Sequence, residues 1–398
     1  MSLTSFSQSI SSSPYSLYGV GSLYDSDFGI IPSIGSSGMA LPSTSFINNL
    51  NPASLAYLPL NHFLFDVGGK AIATTYQSGS RSEKRNNFQF SHLAFASPLN
   101  KNSGFSVALQ PYSSSAFKIS NLKLPIENSQ DYYYLTAAGS GGLNNFNVSY
   151  GYRFGKRFSA GVSGSVLFGN TVDDRSFLLT NTITTISKTT DYSGLRATLG
   201  FQYKIDSTLT VASTIKLPTR IKATKVQSVQ SIADEVVTDV ETDVASDVDD
   251  FYMPLEIGVG VSKRFKNNLN MTFDYEKSLW NSVSQDELYG DFVNQDRFAL
   301  GFTFRTKNNV RRYWDRIQYA MGANFDTGYL EVDGKRINNA AISFGVSLPI
   351  ENTFSTLNIS YSYGQKGKVS NDLIKENYHK ISLNLSLDGI WFVKRRFE

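Results

Sequence analysis

The chain has 398 residues, of which 18% are charged, 28 are Phe and 22 are Tyr, and its net charge near neutral pH is +3. No apolar run approaches the ~20 residues of a membrane-crossing helix, which excludes a helical membrane protein, and the lack of a concentrated basic stripe argues against nucleic acid as a partner. Cysteine is absent, which removes a disulfide frame, a thiol nucleophile and a Cys-ligated zinc.

In chain order, residues 1–7 read as the remnant of a secretory signal peptide, with Ser5 and Ser7 placed as a small-x-small cleavage site before Gln8, or else as an ordinary N-terminus. Residues 8–60 are rich in Gly and Ser but interrupted by Tyr, Leu, Ile and Phe. That mixture supports neither a long helix nor an alternating strand, and it is too apolar for a solvated tether, so it predicts a compact, loop-rich plug.

From residue 61 to 398 the pattern changes to period two. In the last segment Ile381, Leu383, Leu385 and Leu387 alternate with Ser382, Asn384, Ser386 and Asp388, and the same register runs through Phe298–Phe304, Ile342–Leu348 and Leu357–Tyr363. One apolar and one small or polar face, sustained over the length a tilted strand needs to cross a bilayer, predicts a transmembrane antiparallel β-barrel. Inward Gly258, Gly260, Ser343 and Gly345 leave room for a plug or a ligand. Short turns near 100–102, 155–157, 206–207, 266–268, 306–312 and 351–353 alternate with longer polar connections at 77–85, 119–142, 170–192, 220–250, 280–292, 328–336 and 366–376. Their number implies about fourteen strands, with 129–137 and 174–190 each either a strand or the ordered part of a loop, and short periplasmic turns opposite longer external loops put both termini in the periplasm of a Gram-negative cell.

The connection at 220–250 carries Asp234, Glu235, Asp239, Glu241, Asp243, Asp247, Asp249 and Asp250. It matches no calcium-loop spacing and reads first as a solvated tip, with divalent-cation binding as its alternative. Trp391 and Phe392, followed by Lys394–Arg396, suit an interface anchor where the last strand leaves the bilayer. His62, His92 and His379 show no metal-ligand or catalytic spacing, so no enzyme, metal or cofactor is assigned.

The join at Asn51-Pro52-Ala53, the segment Gly35–Leu58 around it, and Gly139-Ser140-Gly141-Gly142-Leu143-Asn144 ahead of a strand resemble the FadL-like outer-membrane transport family. The resemblance implies an N-terminal hatch inside the barrel, a triplet (Asn51, Pro52, Ala53) that touches a kink in the third strand, and a lateral opening there. Pro111, within the predicted third strand, supplies an independent reason for a kink, because proline lacks the ladder N–H; its alternative is a marker of the strand's top. The leading expectation is passive uptake of hydrophobic compounds such as fatty acids, with outer-membrane lipid and a hydrophobic small molecule as partners. The second is a non-transporting FadL-like accessory subunit that docks outer-membrane proteins in a secretion or assembly complex.

Overall fold

The computed structural model describes residues 13–126, 129–233, 236–246, 248–283, 290–305, 313–350, 355–369 and 373–390. Fourteen antiparallel strands close into a barrel, the number that the turn spacing predicts. They are β1 (His62–Ser78), β2 (Arg81–Asn100), β3 in two parts (Ser103–Pro111 and Phe117–Pro125), β4 (Tyr132–Phe154), β5 (Phe158–Leu179) and β6 (Thr182–Lys204). Next come β7 (Leu209–Lys216 with Thr219–Ala233), β8 (Val236–Ser246, Phe251–Met253 and Glu256–Arg264), β9 (Leu269–Ser278) and β10 (Gln295–Arg305). The last four are β11 (Gln318–Asp326), β12 (Asn339–Pro349), β13 (Thr356–Lys366) and β14 (Lys375–Ile390). Pairing of β1 with β14, from His62 opposite Ile390 to Gln77 opposite Lys375, closes the sheet. Joining the first strand to the last is what lets strands cross lipid without a free sheet edge at either end of the sheet.

The predicted faces are the observed ones. Ile381, Leu383 and Leu387 are exposed, whereas Ser382, Asn384 and Ser386 on the opposite face are buried. Leu195, Phe273, Phe298, Phe344 and Tyr361 continue the exposed apolar surface around the wall. Such an exterior is stable only against acyl chains.

Of the polar connections, 129–137 and 174–190 resolve largely as strand rather than ordered loop, and most of 77–85 and 220–250 is strand as well. Strands β5 and β6 pair without interruption from Phe158–Tyr203 to Leu179–Thr182, and Lys225–Ala233 pairs with Val236–Ser246. β4 and β6 have 23 residues each, about twice the 9–11 that span a bilayer. Beyond the lipid no apolar face is required, so the hydrophobic alternation fades while Thr, Ile and Val still favour the pleat. Four of the five described acids of this hairpin are engaged locally: Asp239 with Gln230, Glu241 with Gln227, Asp243 with Ser228, and Asp250 with Arg220. Asp234, Glu235 and Asp247 lie outside the described residues.

Candidate functional site: the barrel interior and the broken third strand

Pro111 ends the first part of β3. The Tyr112 N–H donates to Leu143 O of β4 at 2.7 Å, so the backbone nitrogen of the preceding residue faces β2, where proline has no hydrogen to offer. The ladder to β2 stops two residues earlier, at Leu93 opposite Leu109. Past the break, Phe117–Pro125 pairs with β4, while Arg81–Ser91 of β2 pairs with β1. Among the described residues no ladder joins those two facing segments, and the wall is unsealed there.

The chain between the two parts of β3 turns inward. The Ser115 N–H donates to Gly141 O at 3.0 Å, and Gly142, at φ +146°, leaves the space Ser113 needs, since a Cβ there would lie 2.3 Å from Ser113 O. The Gly139–Asn144 motif therefore makes room for the break. Inside the barrel, Ser113 and Ser114 pair with Leu23 and Ser22 as a two-stranded ribbon. Ser113 Oγ donates to Val20 O at 2.6 Å, and Ser16 Oγ to Ala116 O at 2.6 Å.

Residues 13–60 run along the inner wall and are tied to it at every level. Asp27 accepts from Lys70 of β1 at 2.7 Å and Lys380 of β14 at 3.2 Å. Burial alone would raise this carboxyl, but the two ammonium charges outweigh it and hold Asp27 well below the usual carboxylate range. Phe28 stacks on His92 at 3.9 Å, and His92 Nε2 is 3.0 Å from Asp66. The Gly38 and Met39 N–H groups donate to Asp274 at 2.7 and 2.8 Å, and Asn384 donates to Gly29 O at 3.0 Å. The expected inward glycines are filled by this segment: a Cβ at Gly258 would meet Met39, and one at Gly345 would meet Ser33.

The Asn51-Pro52-Ala53 triplet opens a short 3₁₀ turn, Pro52–Tyr57, that is buried throughout. Asn51 caps it: its Oδ1 accepts from the Ala53 N–H at 3.0 Å while its Nδ2 donates to Met39 O and to Phe201 O of β6. The turn rests on a row of four glycines in register across four strands, Gly104–Gly151–Gly161–Gly200. A Cβ on any of them would approach residues 51–55 to 2.6 Å or less. This corrects the expected contact between the triplet and the strand-three kink. Residues 16–24 meet the break instead, and from the join Asn49 donates to Gln110, next to Pro111, at 3.3 Å. Barrel shear is the reason: four small residues on different strands align into one trough far along the wall from Pro111.

Two further features were not legible as a site. At the long-hairpin end, Trp280 stacks on Phe292 and Tyr329 at 5.2 and 5.1 Å and packs with Val20, Leu143 and Phe251 into an apolar cap. Between that cap and the Pro52–Tyr57 turn lies a cavity of about 240 Å³ that also reaches Pro111. It is bordered by ion pairs: Arg196–Glu256 at 2.9 Å, Lys216–Glu256 at 2.7 Å, Lys216–Glu276 at 3.0 Å and Arg297–Asp25 at 3.0 Å. Strand parity places these charges on the inner face, but their mutual contacts depend on register. Trp391 and Phe392, expected as the interface anchor, lie outside the described residues.

A family model described as BamG matches residues 1–398. No curated protein matches. Among solved structures the chain is similar to the CymD monoaromatic hydrocarbon channel (14% identity, TM-score 0.64, 94% of this chain and 99% of that one). It is also similar to the Pseudomonas putida toluene transporter TodX (14%, 0.67, 93% and 100%). A Pseudomonas aeruginosa FadL homologue aligns as well (11%, 0.61, 93% and 100%). At these identities the likeness establishes a shared fold, that of the FadL-like outer-membrane barrels.

Proposed function

The chain belongs to the BamG family, and from that premise we propose that it is a non-transporting FadL-like accessory barrel of an outer-membrane protein assembly or secretion complex, with residues 13–60 as a permanent plug. The observation that carries this reading is the charged interior. Sites for apolar ligands are mostly apolar with a few placed polar groups, whereas the space left here is bordered by paired Arg, Lys and Glu side chains. A hydrophobic solute gains by leaving water for an apolar surface, and here the apolar lining from Trp280, Tyr329 and Leu167 is interleaved with those ion pairs rather than continuous. Both termini periplasmic, with the long hairpins external, is the orientation that the short-turn and long-hairpin ends support.

Gentle extraction followed by native mass spectrometry tests this: the barrel is expected in a stoichiometric complex with other outer-membrane proteins and without a bound hydrophobic small molecule. Recovery as a single subunit carrying such a molecule would overturn the proposal.

One observation favours passive uptake of hydrophobic compounds as a second reading, namely the unsealed wall between Arg81–Ser91 and Phe117–Pro125. In that case the wall gap is the exit and Pro111 holds it open. Pro111→Thr restores an N–H facing β2 and is expected to slow entry of a hydrophobic fluorescent probe into cells; an unchanged rate would remove Pro111 from any gate.

A further inference from the structure

The short-turn mouth of the barrel carries a set of cations whose placement the accessory reading does not by itself explain. Arg153 of β4, Lys204 of β6, Arg264 of β8 and Arg305 of β10 end four different strands at that rim. Each shares parity with an inward residue of its own strand: Gly151, Gln202, Ser262 and Thr303 are all buried on the lumenal face. Two of them converge on the plug, with Lys204 Nζ 3.8 Å and the Arg153 guanidinium 5.5 Å from the Tyr57 ring centre. Among the described residues none of the four makes an ion pair; Arg153 Nη2 donates only to the neutral acceptors Lys101 O and Asn102 Oδ1 at 2.8 and 3.2 Å, and Arg305 Nη2 to Gln318 Oε1 at 3.1 Å. Asp206, two residues past Lys204, accepts from Thr208 and Leu209. The Tyr57 hydroxyl and Arg153 Nε, both donor groups, are buried without a partner among the described residues.

We infer that this mouth is a docking site for an acidic, extended segment of a partner protein, whose carboxylates enter from the water side and are received by Arg153, Lys204 and Arg264 beneath Tyr57. Charge complementarity selects an anion, and unpaired donors select an acceptor. The inward direction selects a protein segment over lipid: phospholipid head groups lie around the outside of the wall, whereas these side chains face the lumen. The inference rests on the accessory-subunit reading and names the chemistry of one contact.

The full-length protein in detergent, tested by fluorescence anisotropy with a labelled oligo-glutamate peptide, decides it. Binding that weakens with added salt is expected. The variant Arg153→Gln/Lys204→Gln/Arg264→Gln should bind roughly tenfold less tightly, whereas Lys101→Gln/Lys156→Gln/Lys266→Gln, which removes exposed turn cations, should bind nearly as the parent. Equal loss in both variants, or no binding by the parent, would overturn the inference. So would a result in which the inner variant alters only association with phosphatidylglycerol nanodiscs, since that assigns the cations to lipid. Circular dichroism and heat-modifiable migration confirm that each variant is folded, and a misfolded inner variant is replaced by the single Lys204→Gln substitution, of which a several-fold weakening is required. The peptide assay needs no partner, so its failure leaves the stoichiometric complex standing. Recovery of the barrel alone would overturn the accessory reading without changing the peptide result.

Discussion

Gly161→Val is expected to lift the Pro52–Tyr57 turn off the wall while the barrel stays closed. A Cβ at position 161 would lie 2.4 Å from the Pro52 carbonyl carbon and 2.5 Å from the Ala53 nitrogen. Those are backbone atoms fixed by the Asn51 cap and the Asn48 and Ser54 hydrogen bonds, so they cannot swing aside as a side chain would. Overpacking of this kind typically costs about 1–3 kcal/mol, which corresponds to roughly five- to 150-fold more of a locally opened state. The absence of native cysteine allows a direct readout. Ser54 is fully buried, and a Ser54→Cys background should resist maleimide until Gly161→Val is added. Gly164→Val lies on the same strand with nothing within 4 Å of its Cβ, and it should leave labelling unchanged. Equal labelling in all three proteins would show that the glycine row does not seat the turn.

Asp27→Asn should free the front half of the plug. The substitution leaves Lys70 and Lys380, 6% and 15% exposed, facing each other without their shared counter-charge. Breaking a buried ion pair by removing one partner costs about 3–5 kcal/mol. Strand pairing in the wall does not depend on Asp27, so the loss should fall on the segment: amide exchange should accelerate over residues 19–30 and stay slow in β1 and β14. The pH dependence has a defined sign. A carboxyl whose folded pKa is depressed contributes fully above its unfolded value of roughly 4 and loses that contribution as pH falls through the lower folded value. The difference between parent and variant should therefore be constant through neutral pH and shrink progressively as pH falls below ~4. A difference that closes near neutral pH would show that the lock does not rest on this carboxylate.

The barrel was legible in the sequence because its signal is local. Strands that alternate Ile381, Leu383 and Leu387 with Ser382, Asn384 and Ser386 have only one face that lipid can accept, and fourteen such strands follow from counting turns. Pro111 could be read for the same reason: a missing N–H is a property of one residue. Where the requirement is not hydrophobic, the sequence leaves strand and ordered loop as alternatives. The Thr-rich stretch Thr182–Thr190 pairs in full with β5, yet outside the bilayer no period-two apolar pattern marks it.

The interior was not legible, because it is decided by which strand positions come level around the barrel. Gly104, Gly151, Gly161 and Gly200 each lie within a few residues of a short turn, and aligning the chain by those turns would have brought them near one another. Only the register makes them one trough and sets Asn51–Tyr57 in it. The same holds for the ion pairs that border the cavity and for Arg153, Lys204 and Arg264 at the mouth: parity in the sequence sends a side chain inward, but what it meets there depends on residues up to hundreds of positions away. The sequence alone thus determined the closed wall and its lipid face, through period-two burial. Tertiary structure decided where residues 13–60 sit, which of them meet the broken strand, and that the space left inside is bordered by charges, because shear and register set distances that no local pattern encodes.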